Sequence, residues 1–502
     1  MESHDVEMQD AAAFTRSNGV PAGAADASAE TGPATSEQTD LLRGSFRPTE
    51  LIQTTTLQKL NWRVLPFTSL IVMLSYMDRG NLGFVAADVC NELKINHAGY
   101  GIGVGLFGFG YVLSQVPSNY LIRICGPTLW FAILMVVWGA VASTFSIVQN
   151  RLEFYLLRFA LGFAEGGTFP GVWYYLTTFY PPMHLTYPYA TIEASISIST
   201  PLAASIAAGL ISLYGFLGFE GWRLLFFVEG LVPIIFGGIL YWLLPSSPDQ
   251  ASYLKKEEKE WIRSQQEEDG TSERHILREM AIVLSHRDFW IINVSGLLRG
   301  VLLTAAFYWT TLLIAHMLHE GDDEDSDTCA PTDSTSIASV ALTAVPFTTC
   351  TVLSLFFGYA AAGVRNRPVL AGSIIGVSGV FLVGWVIFRN ISFALALISL
   401  SLGISCFLVP NAVLVGMVGS YFDKEARATS LALFNSIAGI GMSVGPIVIG
   451  YLVDWHGYGI VVTLLGALAI LSGGLLFLVR DPLLSQKMNF VGDSNDEDVH
   501  IS

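Results

Sequence analysis

Charged residues are scarce in this chain of 502 residues. Only 14% of the residues are Asp, Glu, Lys or Arg, whereas soluble globular proteins carry about 25%. Hydrophobic residues make up 52%, and the mean hydropathy is +0.52. These values exclude an ordinary soluble protein and indicate an integral membrane protein.

Positive charge is in particularly short supply, with 26 Lys and Arg against 42 Asp and Glu, for a net charge of −16. The acids concentrate in tails and loops such as residues 320–325, and no basic patch suggests a nucleic-acid partner. The five cysteines and nine histidines show neither metal-ligand spacing nor a nucleophile beside a base. We therefore expect no enzyme, metal or cofactor. Free thiols are favoured, although a Cys90–Cys329 disulfide stays open.

Long apolar runs are what the sequence has in abundance, and a bilayer-spanning helix needs about 20 such residues. The polar stretch 245–284 divides these runs six and six. The pattern predicts an all-α integral membrane protein with twelve transmembrane helices in two six-helix bundles. The twelve predicted spans cover residues 62–86, 99–121, 128–149, 151–178, 188–214, 222–244, 287–317, 336–361, 368–388, 392–421, 427–452 and 458–480.

The same pattern predicts the domain organisation. We expect a disordered cytosolic tail over 1–59, bundles over 60–245 and 285–482, a cytosolic linker over 246–284 and a cytosolic tail over 483–502. Lys and Arg cluster in the segments that are cytosolic if both termini are inside. The plasma membrane and a vacuolar or lysosomal membrane both fit, the latter because residues 37–42 resemble an acidic dileucine sorting signal. A monomer is expected.

Two charged residues interrupt the fourth apolar run. Arg158 and Glu165 lie seven positions apart, which places both on nearly the same face of a helix. A charge at the middle of a membrane helix costs about 2.5–3.5 kcal/mol on insertion scales, so such residues face a protein interior or a wet cavity. The pattern favours transport of a polar solute, with a static charge pair as the alternative.

Several motifs are more specific. Together they resemble the anion:cation symporter family of the major facilitator superfamily, which includes allantoate, hexuronate, galactonate and phthalate-type permeases and, more distantly, sialin and the vesicular glutamate transporters. The resemblance runs from about residue 60 to 482. The motifs are residues 75–83 (SYMDRGNLG), 115–119 (QVPSN), 157–171 (LRFALGFAEGGTFPG), 221–230 (GWRLLFFVEG), Asn435–Ser436 and Gly445–Pro446.

This resemblance implies that Arg79 and Arg158 help to bind an organic anion, and that Asp78 and Glu165 are candidates for the coupling proton. In the expected cycle, Glu165 ionises when it pairs with Arg158 and takes a proton when the carboxylate of the substrate occupies that arginine. Proton and anion then travel together. Alternatively, Asp78 only neutralises Arg79.

Further polar residues complete the predicted site. Tyr76 lies in the first motif, and Asn411, Asn435 and Ser436 are the polar residues of the second bundle best placed to bind the uncharged end of a substrate. Glu193 and Arg299 lie within predicted spans but outside the matched motifs, and members of the family usually have an apolar or weakly polar residue at the position of Glu193. Each could tune substrate choice or be paired within the protein.

Glycines recur in two of the spans, where we predict that they allow close helix packing. They are Gly101, Gly103, Gly105, Gly108 and Gly110 in the second span, and Gly439, Gly441, Gly445 and Gly450 in the eleventh.

The leading functional prediction is proton-coupled symport of a small organic anion by alternating access. Uncoupled transport or exchange of a neutral or zwitterionic solute is the alternative, and a non-transporting membrane receptor is a distant third.

Overall fold

A computed structural model describes residues 51–213, 215, 218, 221–266, 276–318, 337–361, 364, 366–422 and 424–480. Residues 55–502 form one compact unit and residues 1–54 another, of which only 51–54 are described, all helical. Throughout the described ranges the regular structure is helical, and no strand occurs there. The position of Cys329 and the tails before residue 51 and after residue 480 lie outside these ranges.

In the described part of the first half, residues 55–63 are helical, so the disorder predicted for the tail 1–59 is wrong for its last residues, and eight further helices follow. They are α1 (Leu65–Phe84), α2 (Ala86–Leu93), α3 (His97–Cys125), α4 (Pro127–Thr144), α5 (Arg151–Glu165), α6 (Thr168–Phe179), α7 (Thr186–Ser212) and α8 (Gly221–Leu243). Side-chain caps begin two of them, because Asn96 accepts from the amide of Gly99 and Asn150 from that of Glu153.

The connecting segment and the second half contain the others. They are α9 (Lys256–Gln266), α10 (Ile276–Ser285), α11 (Arg287–Leu318), α12 (Ile337–Ala361), α13 (Arg367–Phe388), α14 (Phe393–Leu408), α15 (Asn411–Ser420) and α16 (Lys424–Leu476). The predicted linker thus contains helix α9 and most of α10.

Eight helical stretches in the described residues are long and apolar enough to cross a membrane, and one of them, 429–476, holds two spans. Gly457, at φ 71°, divides it. This left-handed backbone conformation suits glycine, which has no Cβ to clash. Helices α1 and α3 and the pair α5–α6 complete the predicted twelve; charges, glycines or a break make them less uniformly apolar.

The fourth and tenth spans are each broken into two helices. Helix α5 ends at Glu165, two glycines follow, and α6 begins at Thr168 with Pro170 in its first turn. Helix α14 ends at Leu408, and Pro410 precedes α15. Proline lacks an amide hydrogen and interrupts the hydrogen bonding of a helix, so Pro170 and Pro410 account for the two breaks. The two glycines keep right-handed helical backbone angles. Each break lies beside polar residues of the predicted site.

Close packing of α3 on α5 sets the position of Arg158. A Cβ on Gly162 would overlap the carbonyl oxygen of Phe107, and one on Gly103 would overlap the ring of Phe154. The two backbones therefore approach as closely as glycine permits. This brings the Arg158 side chain to the backbone of Gly103.

The two halves meet tightly at one end of the bundle, which we call the closed end: residues 83–108 of the first half against 307–308 and 443–458 of the second. Gly83 abuts the Phe307 carbonyl, Gly101 the Pro446 carbonyl, and Gly450 the carbonyl of His97. The Tyr100 hydroxyl donates to the Tyr308 carbonyl oxygen at 3.1 Å. These contacts leave no room for a side chain at the glycine positions.

The cysteines depart in part from the expected free thiols. Cys125, Cys350 and Cys406 are free. Cys90, at the end of the first half that joins the closed end, is disulfide-bonded, which corrects the expectation for that residue.

Candidate functional site

Arg79 of α1 and Glu165 of α5 form an ion pair inside the first half. Arg79 Nε donates to Glu165 Oε2 at 3.0 Å, and the Ser75 hydroxyl donates to the same oxygen at 2.9 Å. Arg79 Nη2 in turn lies 3.2 Å from the Ser75 oxygen. Glu165 thus pairs with Arg79 rather than with Arg158, which corrects the expected pairing. Spacing along one helix could not show that α1 would supply the cation.

Aromatic rings surround the guanidinium of Arg79. Its central carbon lies 4.8 Å from the ring centroid of Tyr76, 4.5 Å from that of Tyr111 and 5.6 Å from that of Phe107. Ring faces attract a cation, most strongly where water is excluded. The rings therefore hold the guanidinium in place while leaving some of its N–H donors for other partners.

Arg158 is fully buried, with 0% of its surface exposed. Its Nε donates to the Gly103 carbonyl at 3.3 Å, and its Nη2 lies 3.5 Å from the hydroxyl of Tyr308 on α11. The Phe107 ring lies 4.7 Å from the guanidinium carbon. Nη1 finds no hydrogen-bond acceptor among the described residues. An unsatisfied buried charged donor is costly, so this atom is available to an anion.

Acidic groups extend from this site towards α8. Both carboxyl oxygens of Asp78 are buried without a hydrogen-bond partner in the described part of the chain, and the group interacts electrostatically with Glu165, Glu229 and Arg158. The Asn81 amide donates to Glu229 Oε2 at 2.5 Å. Asp78 therefore lies among interior acids, and it forms no ion pair with Arg79 or Arg158 in the described part of the chain.

In the second half, Arg299 and Asn411 are brought together. Nη1 and Nη2 of Arg299 each lie 3.3 Å from Asn411 Oδ1, and Nη2 also donates to the Phe407 carbonyl at 3.1 Å. That carbonyl lies in the last turn of α14, where backbone acceptors lack a partner within the helix. Arg299 thus stabilises the break in the tenth span and is paired within the protein.

Other predicted residues lie apart from these contacts. Asn435 and Ser436 of α16 are exposed, and the Ser436 hydroxyl donates to the Ala432 carbonyl of its own helix. Glu193 of α7 is half-buried. No group of three His, Cys, Asp or Glu residues in the described ranges is arranged to hold a metal ion.

Several residues at the site were not predicted. Ser75 carries a weak signal, because it lies one helical turn before Arg79 and so shares its face. Glu229 lay in a recognised motif without an assigned role. Phe107, Tyr111 and Tyr308 come from α3 and α11, and no pattern in the sequence shows that their rings or hydroxyls reach the arginines.

Comparison with known proteins identifies the family. The family model described as Major Facilitator Superfamily matches residues 68–323 and 330–491. A protein of Agrobacterium vitis assigned to tartrate transport is 29% identical over 413 residues, which cover 81% of this chain and 90% of that protein. The metabolite transport protein NicT of Pseudomonas putida is also 29% identical, over 80% of this chain and 88% of its own length.

Among solved structures, a bacterial homologue of the human lysosomal transporter Spinster has the same fold. It was solved in an inward-facing, unoccupied conformation, with a TM-score of 0.67 and 15% identity, covering 84% of this chain and 97% of that one.

Proposed function

Because the chain belongs to the major facilitator superfamily and is a transporter rather than an enzyme, we propose that it moves a small organic anion together with a proton across a membrane. The likeness to a protein assigned to tartrate transport supports a carboxylate as the substrate. Substrates of transporters built from two such halves bind near the midplane between them.

One observation carries the proposal: Arg158 is buried, cationic and short of an acceptor at Nη1. Its Nη2 lies near Tyr308 of the second half, so the guanidinium borders both halves. A carboxylate placed there accepts hydrogen bonds from a planar fork of donors, the geometry that arginine provides best.

Charge balance supplies the coupling. In the structure, Glu165 is held by Arg79 and Ser75. A carboxylate that binds to Arg79 and Arg158 competes with Glu165 for the guanidinium, and a dry interior tolerates an uncompensated carboxylate poorly. Glu165 then takes up a proton, so that anion and proton enter together. Asp78, near Glu165, is the proposed second carrier of that proton.

The other assignments remain part of the proposal. Tyr76 and Asn411 contact Arg79 and Arg299 respectively, whereas Asn435 and Ser436 are proposed to meet the substrate only when the halves rearrange. We place both termini in the cytosol, with the plasma membrane or an acidic organelle as the site of residence. The closed end then faces away from the cytosol.

Uptake of L-tartrate into proteoliposomes, with and without an imposed pH gradient, tests the coupling. The wild-type protein should accumulate L-tartrate only with the gradient. Glu165→Gln should abolish this accumulation and keep exchange of labelled for unlabelled L-tartrate, because a neutral side chain still leaves the arginines free to bind anions.

The matched control is Glu260→Gln, which makes the same change at a residue whose side chain is 63% exposed. It should accumulate L-tartrate normally. Gradient-driven accumulation by Glu165→Gln would contradict its proton role, and wild-type accumulation that ignores the gradient would favour uncoupled transport or exchange.

A further inference from the structure

Glu193 of α7 is a carboxylate that forms no ion pair in the described part of the chain. Helices α6, α7 and α12 contain no Lys or Arg at all. Helices α1 and α8 also pack on α7 and carry Arg79 and Arg223, but these guanidinium groups pair with Glu165 and Glu92. Among the described residues, no hydrogen bond or ion pair reaches its carboxyl oxygens; the Ser197 hydroxyl bonds only to its backbone carbonyl, at 3.2 Å. Intramembrane charges are expensive unless something pairs with them.

The face of α7 that bears Glu193 looks into the junction between the two halves. Residues 189, 193 and 197 share one face, at a spacing of four. One turn before Glu193, the Tyr189 ring packs on Trp173 of α6 with centroids 4.0 Å apart. One turn after it, the Ser197 carbonyl accepts from the Thr351 hydroxyl of α12 at 2.7 Å. Glu193 lies between these two contacts.

The lipid-facing side of α7 is elsewhere on the helix. An apolar stripe of exposed residues lies on the opposite side of the helix, since at about 100° per residue its members fall about 140°, 180° and 220° from Glu193. The stripe consists of Ile198, Leu202 and Ile206. Glu193 is therefore not placed to reach the membrane surface by lying along the lipid side.

An aromatic wall leads from Glu193 to the arginine site. Its rings come from four helices, and each ring is only partly buried. The centroids of Tyr76 and Phe169 lie 6.4 Å apart, those of Phe169 and Trp173 5.3 Å, and those of Tyr76 and Phe307 6.5 Å. Tyr189 completes the wall through Trp173.

Tyr76 connects the two ends of this wall. The Arg79 guanidinium lies over its ring, and the Glu193 carboxylate is close enough to interact electrostatically with its hydroxyl. The charged groups that bear on this region are Arg79 and Glu165 at one end and Glu193 at the other. The site is thus bipolar: cationic beside α5, anionic beside α7, with ring faces between.

We propose that the preferred carboxylate substrates also carry a cationic amine, so that the carboxylate binds Arg79 and Arg158 and the amine binds Glu193 against the aromatic wall. The carboxylate end of this assignment rests on the proposed function. The amine supplies the counter-charge that helices α6, α7 and α12 lack, and ring faces attract an ammonium group in a site shielded from water. Glu193 is then a specificity-determining residue.

Binding of three para-substituted benzoates to the full-length protein in nanodiscs tests this inference. The probes are 4-(aminomethyl)benzoate, 4-methylbenzoate and terephthalate, which share one ring and one carboxylate. The wild-type protein should bind the aminomethyl compound about tenfold more tightly than the methyl compound, a difference of about 1.4 kcal/mol. Terephthalate should bind most weakly, because its rigid ring holds the second carboxylate where the amine would lie, beside Glu193, whereas both carboxylates of the shorter L-tartrate can stay at the two arginines.

Glu193→Gln should remove the advantage of the aminomethyl compound and leave the affinity for 4-methylbenzoate unchanged. The matched control is Ser205→Ala, at an exposed position of the same helix, which should keep all three affinities. Equal wild-type affinities for the aminomethyl and methyl compounds, or an advantage that survives in Glu193→Gln, would overturn the inference and leave the proposed carboxylate site standing. Failure of the wild-type protein to bind any of these carboxylates or L-tartrate would contradict the proposed function itself.

Discussion

Arg158 and Arg79 bind their surroundings in different ways, although both lie in the same interior. Arg79 has an ion pair with Glu165 at 3.0 Å, whereas Arg158 has only a backbone carbonyl at 3.3 Å and a hydroxyl at 3.5 Å. Because its partners are weaker, Arg158 has more unsatisfied hydrogen-bonding capacity for an anion than Arg79 has. It is the residue whose chemistry should be least replaceable.

Arg158→Lys should lower uptake of L-tartrate by at least about 100-fold, the scale of loss expected when a positioned group is misplaced. A lysine ammonium cannot reach the Gly103 carbonyl and the Tyr308 hydroxyl together or present a planar fork. Uptake per molecule of inserted protein is the measurement. Arg263→Lys, at an exposed pair with Asp249, is the control and should transport normally. Uptake within a few-fold of wild type in Arg158→Lys would remove Arg158 from the binding role.

At this scale the sequence predicted which residues lie near one another better than which residues are directly paired. Arg79, Arg158, Glu165 and Asp78 do come together, and Arg299 does contact Asn411. Glu165 pairs with a residue 86 positions away, which depends on how α1 packs against α5. A single sequence contains no signal for that choice of neighbour. The roles of these residues in binding and coupling stay predictions.

Between helices, glycine sets how near the two halves can come. The packing role predicted for the glycines of the second span is confirmed at all five positions, where an added Cβ would crowd a neighbouring atom. In the eleventh span it is confirmed at Gly441, Gly445 and Gly450, whereas Gly439 has room for a methyl group at ordinary contact distance.

Gly101→Ala should favour a conformation in which the two halves separate at the closed end. The added methyl group would overlap the backbone carbonyl of Pro446, which cannot move aside as a flexible side chain can. The measurement uses spin labels at the positions of Lys94 and His456, in a protein whose three free cysteines are replaced by serine. The distribution of distances between the two labels should contain an additional population at longer distances. Gly209→Ala is the control, because nothing lies within 4 Å of its added Cβ. An unchanged distance distribution in Gly101→Ala would mean that the closed end tolerates the methyl group.

A carboxylate from the second half also caps a helix of the first. Asp454 accepts from the backbone amides of His97 and Ala98 at 3.0 and 2.9 Å and from the His97 ring at 2.8 Å. An acid at a helix N-terminus satisfies free amides and interacts favourably with the helix dipole. The closed end is therefore held by electrostatics as well as by packing.

Asp454→Ala should weaken this cap by about 1 kcal/mol, and so raise opening of the closed end roughly fivefold. Amide hydrogen exchange in peptides that cover residues 97–105 should be faster by that factor. Asp249→Ala, which removes an exposed acid paired with Arg263, should leave exchange there unchanged. Equal exchange in wild type and Asp454→Ala would show that packing alone keeps the end shut.

In the molecule as a whole, the arrangement of twelve spans in two halves was predictable, because apolar length is a strong signal. The glycines and prolines at the breaks, Gly166–Gly167 and Pro410, can be read from the sequence. The sequence does not show that these breaks position Glu165 and Asn411, which lie beside them in the structure. The hydropathy of the polar linker did not indicate a helix, yet the linker contains α9. Short polar helices carry too weak a pattern to be predicted.

That linker forms an ion pair with the helical segment just before α1. Lys59 donates to both carboxyl oxygens of Glu258 at 2.8 Å, and the Lys255 amide donates to Oε2 at 2.8 Å. Partial burial alone would raise the pKa of Glu258, but these bonds outweigh it and hold the pKa below its usual value. A lowered pKa means stabilisation that is present above the unfolded value and lost as pH falls through the folded one.

Lys59→Ala should therefore lower the melting temperature slightly at pH 7, by the equivalent of no more than about 1 kcal/mol because Lys59 is partly exposed. The difference from wild type should shrink as the pH falls below the unfolded pKa of Glu258, and disappear once Glu258 is protonated in both folded proteins. Lys94→Ala is the control and should melt like wild type across the same pH series. A difference that does not shrink as the pH falls would mean that Lys59 stabilises the protein through packing and not through this ion pair.

The guanidinium of Arg158 belongs to one half and its hydroxyl neighbour Tyr308 to the other. A substrate that binds here, as proposed, would contact both halves directly, without intervening side chains. Under the proposed function, substrate binding and the relative movement of the two halves would be coupled at this contact.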